Sequence, residues 1–237
     1  MRVAALYDVH ANLPALEAVL AEVEQAQVDT IVAGGDVVWG PMPAQCLALL
    51  RDVDAVFVAG NCERTILAGE SDRDRWCREM LGDEATSFLA GWPLTVELDV
   101  GAVGHVLFCH ATPRSDDEIL TRITPDGEVV AALRGVDADV VVCGHTHVQY
   151  DRRPIGVPRL VNVGSVGLCY QGEPGTAAWA LVESDVELRR TRFDTDRALE
   201  ALLGTGFPGV EAQFGPALRG EHGADDATEW FESRRGA

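Results

Sequence analysis

Lysine is absent from this 237-residue chain, and all 19 basic residues are arginine. That absence excludes a Walker-type lysine, a Schiff-base enzyme and the lysine of a protein kinase. Asparagine is nearly absent too, occurring only at Asn12, Asn61 and Asn162. The six cysteines (Cys46, Cys62, Cys77, Cys109, Cys143 and Cys169) contain no C-x-x-C pair. A disulfide framework and a zinc-finger site are therefore not expected. No apolar run approaches the roughly 20 residues of a membrane span. The N-terminal stretch meets Asp8 before a signal-peptide core could form, so a soluble, cytoplasmic protein without membrane association is expected. Positive charge is short as well: 38 acidic residues leave a net charge of −19. A field of that sign repels a phosphate polymer and argues against broad nucleic-acid binding. Any phosphorylated substrate would need a positive charge placed locally inside an acidic surface.

Short apolar runs alternate with helix-period segments, the pattern of an α/β protein. Val3–Tyr7 reads as a strand, and Leu13, Leu16, Val19, Leu20 and Val23 then fall on one face of a helix. Strands are expected at Thr30–Ala33 and Ala55–Ala59, with a short helix around Ala44–Leu50 between them. A longer helix should bury Trp76, Met80, Leu81, Phe88 and Leu89. Val96–Val100 and Val103–Cys109 read as a hairpin turning near Gly101. A helix near Glu128–Arg134 leads to a strand at Val140–Cys143. Further strands are expected at Arg159–Val163, Ala177–Glu183 and Val186–Phe193. Parallel units first and antiparallel strands later imply two sheets packed face to face with helices outside. The domain is expected over residues 1–203. Residues 204–237 read as a tail or interaction element with a short helix at Asp226–Arg235, where Trp230 and Phe231 look exposed.

The polar residues just after the strands form an unusual set. Asp8-Val9-His10 follows the first strand and Gly35-Asp36 the second. Gly60-Asn61-Cys62-Glu63 follows the third, His110 ends Val106–Cys109, and Gly144-His145-Thr146-His147 ends Val140–Cys143. Ligand sites of α/β sheets form outside the carboxyl ends of strands. Two aspartates, four histidines and one asparagine would thus converge on one rim. Four of the six histidines lie in these motifs, and His105 and His222 read as structural or surface residues. Each motif alone is ordinary turn chemistry; the ordered combination points to metal binding. Mixed nitrogen and oxygen ligands suit Mn²⁺, Fe²⁺, Co²⁺, Ni²⁺ or Zn²⁺ better than Ca²⁺. Two such ions about 4 Å apart can bind a phosphate and lower the pKa of a water between them.

The set resembles the calcineurin-like metallophosphoesterases, whose signature runs DxH, GD, GN(H or C), H and GHxH. The likeness extends to Asn162-Val163-Gly164-Ser165, similar to the NxGS turn of that family. It implies a four-layer α/β/β/α sandwich of two mixed sheets flanked by helices, and a site for two divalent metal ions, Mn²⁺ first among them. Carried over motif by motif, Asp8, His10, Asp36 and His147 would hold one ion. Asp36, Asn61, His110 and His145 would hold the other, with Asp36 as the bridge. Asp36, Asn61 and His110 would serve catalysis, and a hydroxide between the metals would attack a small phosphodiester.

Departures narrow the resemblance. Gly35-Asp36-Val37-Val38-Trp39 lacks the arginine of GDxVDRG, and Cys62 replaces the histidine that usually protonates the leaving group. The chain is in this respect similar to the small bacterial and archaeal phosphodiesterases carrying GNC, and good leaving groups should be favoured. Ala11 stands where such proteins often have glycine. Arg114, Gly164 and Ser165 are candidates for substrate binding, and Trp39 and Tyr170 lie in loops near the same rim. A phosphomonoesterase with the same metals, or a non-catalytic scaffold like a retromer subunit of this fold, are the rival readings. The oligomeric state is left open.

Overall fold

The computed structural model describes residues 1–236 as two five-stranded mixed sheets with helices on both outer faces. The first sheet runs β10-β9-β1-β2-β3, from β1 (Val3–Leu6), β2 (Thr30–Ala33), β3 (Val56–Phe57), β9 (Thr176–Val182) and β10 (Val186–Arg192). The second runs β4-β5-β6-β8-β7, from β4 (Thr95–Val100), β5 (Gly104–Cys109), β6 (Val140–Cys143), β7 (Tyr150–Arg152) and β8 (Arg159–Asn162). β1, β2 and β3 are parallel to one another, as are β5, β6 and β8, while β9, β10, β4 and β7 pair antiparallel. The four-layer sandwich expected from the sequence is the one found.

Side-chain alternation builds the layers. Val3, Ala5 and Tyr7 point between the sheets, where they meet Val106, Phe108, Val140 and Val142. Ala4 and Leu6 point outward beneath the helices α1 (Leu13–Ala26) and α2 (Pro43–Asp52). Leu107, Cys109 and Val141 face outward on the other sheet, under α5 (Asp126–Leu133). The buried Tyr7 hydroxyl donates to the carbonyl of Val142 (2.9 Å), tying one sheet to the other beside the strand ends that carry the motifs.

Local chemistry explains where the motif loops give way to helices. Asn12 caps α1 by accepting from the Ala15 N–H (3.3 Å), and Pro14 sits in the first turn, where its missing N–H costs nothing. α3 (Asn61–Ala68) begins on the GN motif itself, with Gly60 as its cap and Glu63 reaching back to the Gly60 N–H (2.8 Å).

The structure differs from the sequence-based expectation in four places. The long helix α4 (Asp72–Leu89) is broken at Gly82 (φ 74°, ψ 176°). Beyond that break Ala85, Thr86 and Leu89 turn inward, so the single buried face does not persist, and Met80 (45 %) and Phe88 (36 %) are exposed. β3 shrinks to two residues of the expected Ala55–Ala59. β7 is a polar edge strand held by pairing with β8, which no hydrophobic alternation announces. Lastly, the expected tail over residues 204–236 folds into α7 (Val210–Leu218) and α8 (Ala224–Glu232), following α6 (Thr195–Leu203). Phe207, Val210, Phe214 and Leu218 join the core beneath the first sheet. A fully buried side chain such as Phe214 stabilises by roughly 1.5–3 kcal/mol, so this segment belongs to the body of the fold. Phe231, read as exposed, is 8 % exposed, whereas Trp230 is open at 52 %. Among the described residues no helix is long and apolar enough to cross a membrane.

Candidate functional site

Three of the motifs (DxH, GD and GHxH) leave their strands through a backbone conformation that side chains usually avoid. Asp8, His10, Ala11, Asp36, His145 and His147 account for six of the eight described non-glycine residues with positive φ. Such positions cost about 1–3 kcal/mol each and persist only where surrounding contacts enforce them. Two motif glycines lie tight against the carboxylates. A Cβ on Gly60 would lie 2.3 Å from Asp36 Oδ1, and one on Gly144 would lie 2.4 Å from Asp8 Oδ2. Only glycine lets the GN and GH loops come this close to the two carboxylates.

The result is a buried knot of carboxylates and imidazoles. Asp8 Oδ2 accepts the His145 backbone N–H (2.9 Å). Asp8 Oδ1, fully buried, has no hydrogen-bond partner, although it lies 3.1 Å from His147 Nε2, 3.7 Å from His10 Nε2 and 3.9 Å from His110 Nε2. His10 Nε2 and His147 Nε2 face each other at 3.1 Å. Asp36 stands between the two ends of the knot, with Oδ2 3.9 Å from His10 Nε2 and Oδ1 3.4 Å from His110 Nε2. Asn61 Oδ1 is 3.2 Å from His110 Nε2. Two groups with the reach of metal sites share Asp8: one with His10 and His147, the other with Asp36 and His110. A third joins His10, Asp36 and Cys62. His145 lies alongside, its ring centroid 5.2 Å from that of His110.

Backbone carbonyls orient two of these rings. His110 Nδ1 donates to the carbonyl of Gly34 (3.0 Å) and His147 Nδ1 to that of Leu168 (2.9 Å). A carbonyl only accepts, so the N–H of each ring faces outward and Nε2 is turned into the knot, the arrangement in which imidazoles bind cations. The charges are strongly coupled. Burial raises the carboxyls of Asp8 and Asp36, yet the nearby imidazoles of His147 and His110 outweigh it and hold both below the usual carboxylate range. Burial pushes His110 down, but Asp36 and Asp8 hold it up at about 10. Burial first, then neighbouring imidazoles, push His10 and His145 down to about 4. Two ionised carboxylates thus sit among imidazoles of which two resist protonation. An unpartnered carboxylate oxygen ringed by three Nε2 atoms fits a divalent cation better than any protein group nearby.

Cys62 lies against the same carboxylate. Its N–H donates to Asp36 Oδ1 (2.9 Å) and its thiol to Asp36 Oδ2 (3.0 Å). Burial, then the Asp36 charge, push this thiol well above its ordinary range. It holds Asp36 in place.

The candidates for substrate binding are engaged by protein groups. Arg114 is not brought to the knot: its guanidinium donates to Glu118 (2.9 and 2.5 Å) and to the Ala131 carbonyl (3.0 Å). Arg114→Ala is accordingly expected to change the Michaelis constant for a phosphodiester by less than twofold in steady-state assays. Gly164 spends its N–H on Asn162 Oδ1 (2.9 Å). The Ser165 hydroxyl donates to the Asp8 carbonyl (2.8 Å) and accepts from the Leu168 N–H (2.8 Å). Both residues are buried and brace the backbone that carries Asp8 and orients His147. Trp39 and Tyr170 do reach the site, with Trp39 edge-on to His10 at 5.7 Å and Tyr170 at 4.7 Å from His147. His105 is a surface residue held between Glu97 and Asp99.

Sequence reasoning passed over Glu63 and misplaced Phe231. The buried Glu63 carboxylate accepts from the N–H groups of Gly60, Asp36 and Val37 (2.8 Å each) and of Val38 (3.3 Å). It therefore locks the loop of Asp36 to the helix of Asn61. The signal was present as the capping-box spacing from Gly60 to Glu63. Phe231 lies 5.9 Å from the His145 ring and 6.3 Å from that of His147, and nothing local in the sequence points it there.

Comparison with known proteins agrees with this geometry. The family model described as the calcineurin-like phosphoesterase superfamily domain matches residues 1–185, and the chain belongs to that superfamily. The protein MJ0912 of Methanocaldococcus jannaschii is 27% identical over 232 residues, which span 87% of this chain and 93% of that one. A crystal structure of a metallophosphoesterase from Sphaerobacter thermophilus superposes with a TM-score of 0.76 at 24% identity, covering 91% of this chain and 98% of that one. The protein PH1004 of Pyrococcus horikoshii gives a TM-score of 0.77 at 16% identity, covering 94% and 98%. At such identities the two structures speak for a shared fold.

Proposed function

We propose that this chain hydrolyses small phosphodiesters at a pair of divalent cations, of which Mn²⁺ is the first candidate. Asp8, His10, Asp36 and His147 would hold one cation, and Asp36, Asn61, His110 and His145 the other. The observation that carries this reading is the unpartnered Asp8 Oδ1 among three imidazole nitrogens, with Asp36 standing between the two ends of the knot. When bound, the cations supply the local positive charge that the acidic chain lacks, together with an activated water.

The chain's own residues do the rest. Asp36 would serve both cations, with its orientation set by Cys62 and by Glu63 acting through the loop. Asn61, Cys62 and His145 keep partial exposure and mark the edge from which a phosphate would enter. Asn61, with the buried His110 against its amide oxygen, would meet the phosphate there. Trp39, Tyr170 and Phe231 wall the knot with apolar rings, which keeps water out and strengthens the interactions within. The Cys62 thiol donates its hydrogen bond to Asp36 and directs none at a leaving group. Diesters with good leaving groups follow from that arrangement.

The test is hydrolysis of bis-p-nitrophenyl phosphate against p-nitrophenyl phosphate by Mn²⁺-loaded protein, with His110→Ala as control. Preference for the diester by tenfold or more is expected, as is loss of the activity in the variant. Preference for the monoester would overturn the phosphodiesterase assignment. No turnover of either ester with two metals bound would favour a scaffold.

A further inference from the structure

Beyond residue 185, where the family match ends, the chain adds α7 and α8, and these build a cavity against the metal-binding rim. The cavity measures about 340 Å³ and is lined chiefly by Tyr170, Gln213, His222, Asp226, Trp230 and Phe231. Two of these residues are also walls of the knot: Tyr170 lies against His147 at 4.7 Å, and Phe231 lies 5.9 Å from His145. His222 meets Tyr170 edge-on at 5.2 Å, and Trp230 meets Phe231 edge-on at 4.9 Å.

The walls are held from outside the cavity. The Glu232 carboxylate accepts from the hydroxyls of Thr121 and Thr124. Arg122 donates to the buried Thr228 hydroxyl (3.1 Å) and pairs with Asp225. The Gly172 N–H donates to the His222 carbonyl (2.9 Å). A pocket with walls fixed in this way loses little entropy on binding. Trp230 nevertheless stays half exposed, a large apolar surface left to water beside the cavity.

We propose that this cavity is the subsite for the organic group of the ester, and that it takes one planar, uncharged aromatic group bearing N–H donors, of nucleoside size. The inference rests on the phosphodiesterase reading above. Aromatic rings on several sides select a planar group. Asp226 and the Gln213 amide offer acceptors for N–H donors, and the Asp226 charge repels a second phosphate. The volume is at the small end for ligand pockets and suits one nucleoside-sized group rather than a polymer.

Two measurements on Mn²⁺-loaded protein test this. In the first, phosphate-free guanosine and adenosine are titrated calorimetrically, with ribose as control. Nucleoside binding without ribose binding is expected, weakened about tenfold in Trp230→Ala and largely restored in Trp230→Phe. The second compares kcat/KM for thymidine 5′-(p-nitrophenyl phosphate) and methyl p-nitrophenyl phosphate, which share a leaving group. The nucleoside ester should be preferred at least tenfold, and Trp230→Ala should cut that ratio by about tenfold. Hydrolysis of bis-p-nitrophenyl phosphate with no nucleoside binding and no preference would overturn the subsite and leave the phosphodiesterase standing. Nucleoside binding that is sensitive to Trp230, without hydrolysis of any diester, would support the ligand class and overturn the reaction.

Discussion

Asp36→Asn is expected to lower phosphodiester hydrolysis by about three orders of magnitude or more, while the protein stays folded. Among the described residues, Asp36 is the one carboxylate with one oxygen toward His10 and the other toward His110. Two cations held near one another repel, and an ionised group between them offsets that repulsion. The amide of asparagine has nearly the same shape but carries no charge and has one oxygen instead of two. Several kcal/mol of charge stabilisation would be lost, at about 1.4 kcal/mol per factor of ten. Metal analysis should show the occupancy of the variant falling from two ions to one or none. Near-UV circular dichroism should remain native, since the Asp36 loop is still held by the Glu63 carboxylate through N–H groups the substitution leaves in place. Full metal content with activity within tenfold of the parent would refute the bridging role.

The second large effect is expected at Glu63. Glu63→Ala removes the acceptor for four N–H groups at once, those of Gly60, Asp36, Val37 and Val38. Each buried donor left without a partner costs about 1–3 kcal/mol, though water entering the space would recover part of it. A loss of about 3–5 kcal/mol in urea unfolding of the metal-free protein is expected, with metal affinity reduced in parallel. Glu63→Gln should do little better, because its NH₂ group would face two of the N–H donors that an oxygen now accepts. Burial and the Asp36 charge push the Glu63 carboxyl up to about 7, while the N–H groups and the nearby His110 imidazole pull it back. Backbone hydrogen bonds are thus a main support for this buried carboxylate beside Asp36. A loss below 1 kcal/mol for Glu63→Ala would show that the loop holds itself.

Much of the fold was legible because its signals are short in range. Val3–Leu6 and Val140–Cys143 are continuous apolar runs ended by polar motif residues. Leu16, Val19 and Val23 lie on a helical stripe that buries as the spacing predicts. The failures have physical causes of their own. Gly82 breaks the period that seemed to bury Met80 and Phe88. α7 carries Gly215 and Pro216 and α8 four acidic residues, so their apolar faces look weak until the core beneath them is known.

The sequence by itself determined which polar side chains come together. The order of the aspartate, histidine and asparagine motifs, each placed at the end of a strand, predicts which side chains gather on one rim, because strand ends in such sheets share one edge. Only the tertiary structure decided how those atoms are held and what covers them. The carbonyls of Gly34 and Leu168 that aim His110 and His147, the Glu63 carboxylate across two loops, and Phe231 resting by His145 are contacts between residues 21 to 86 positions apart or more subtly spaced. No local periodicity encodes contacts of that kind. They arise when the two sheets close on Tyr7 and Val142 and α8 brings Phe231 to the rim.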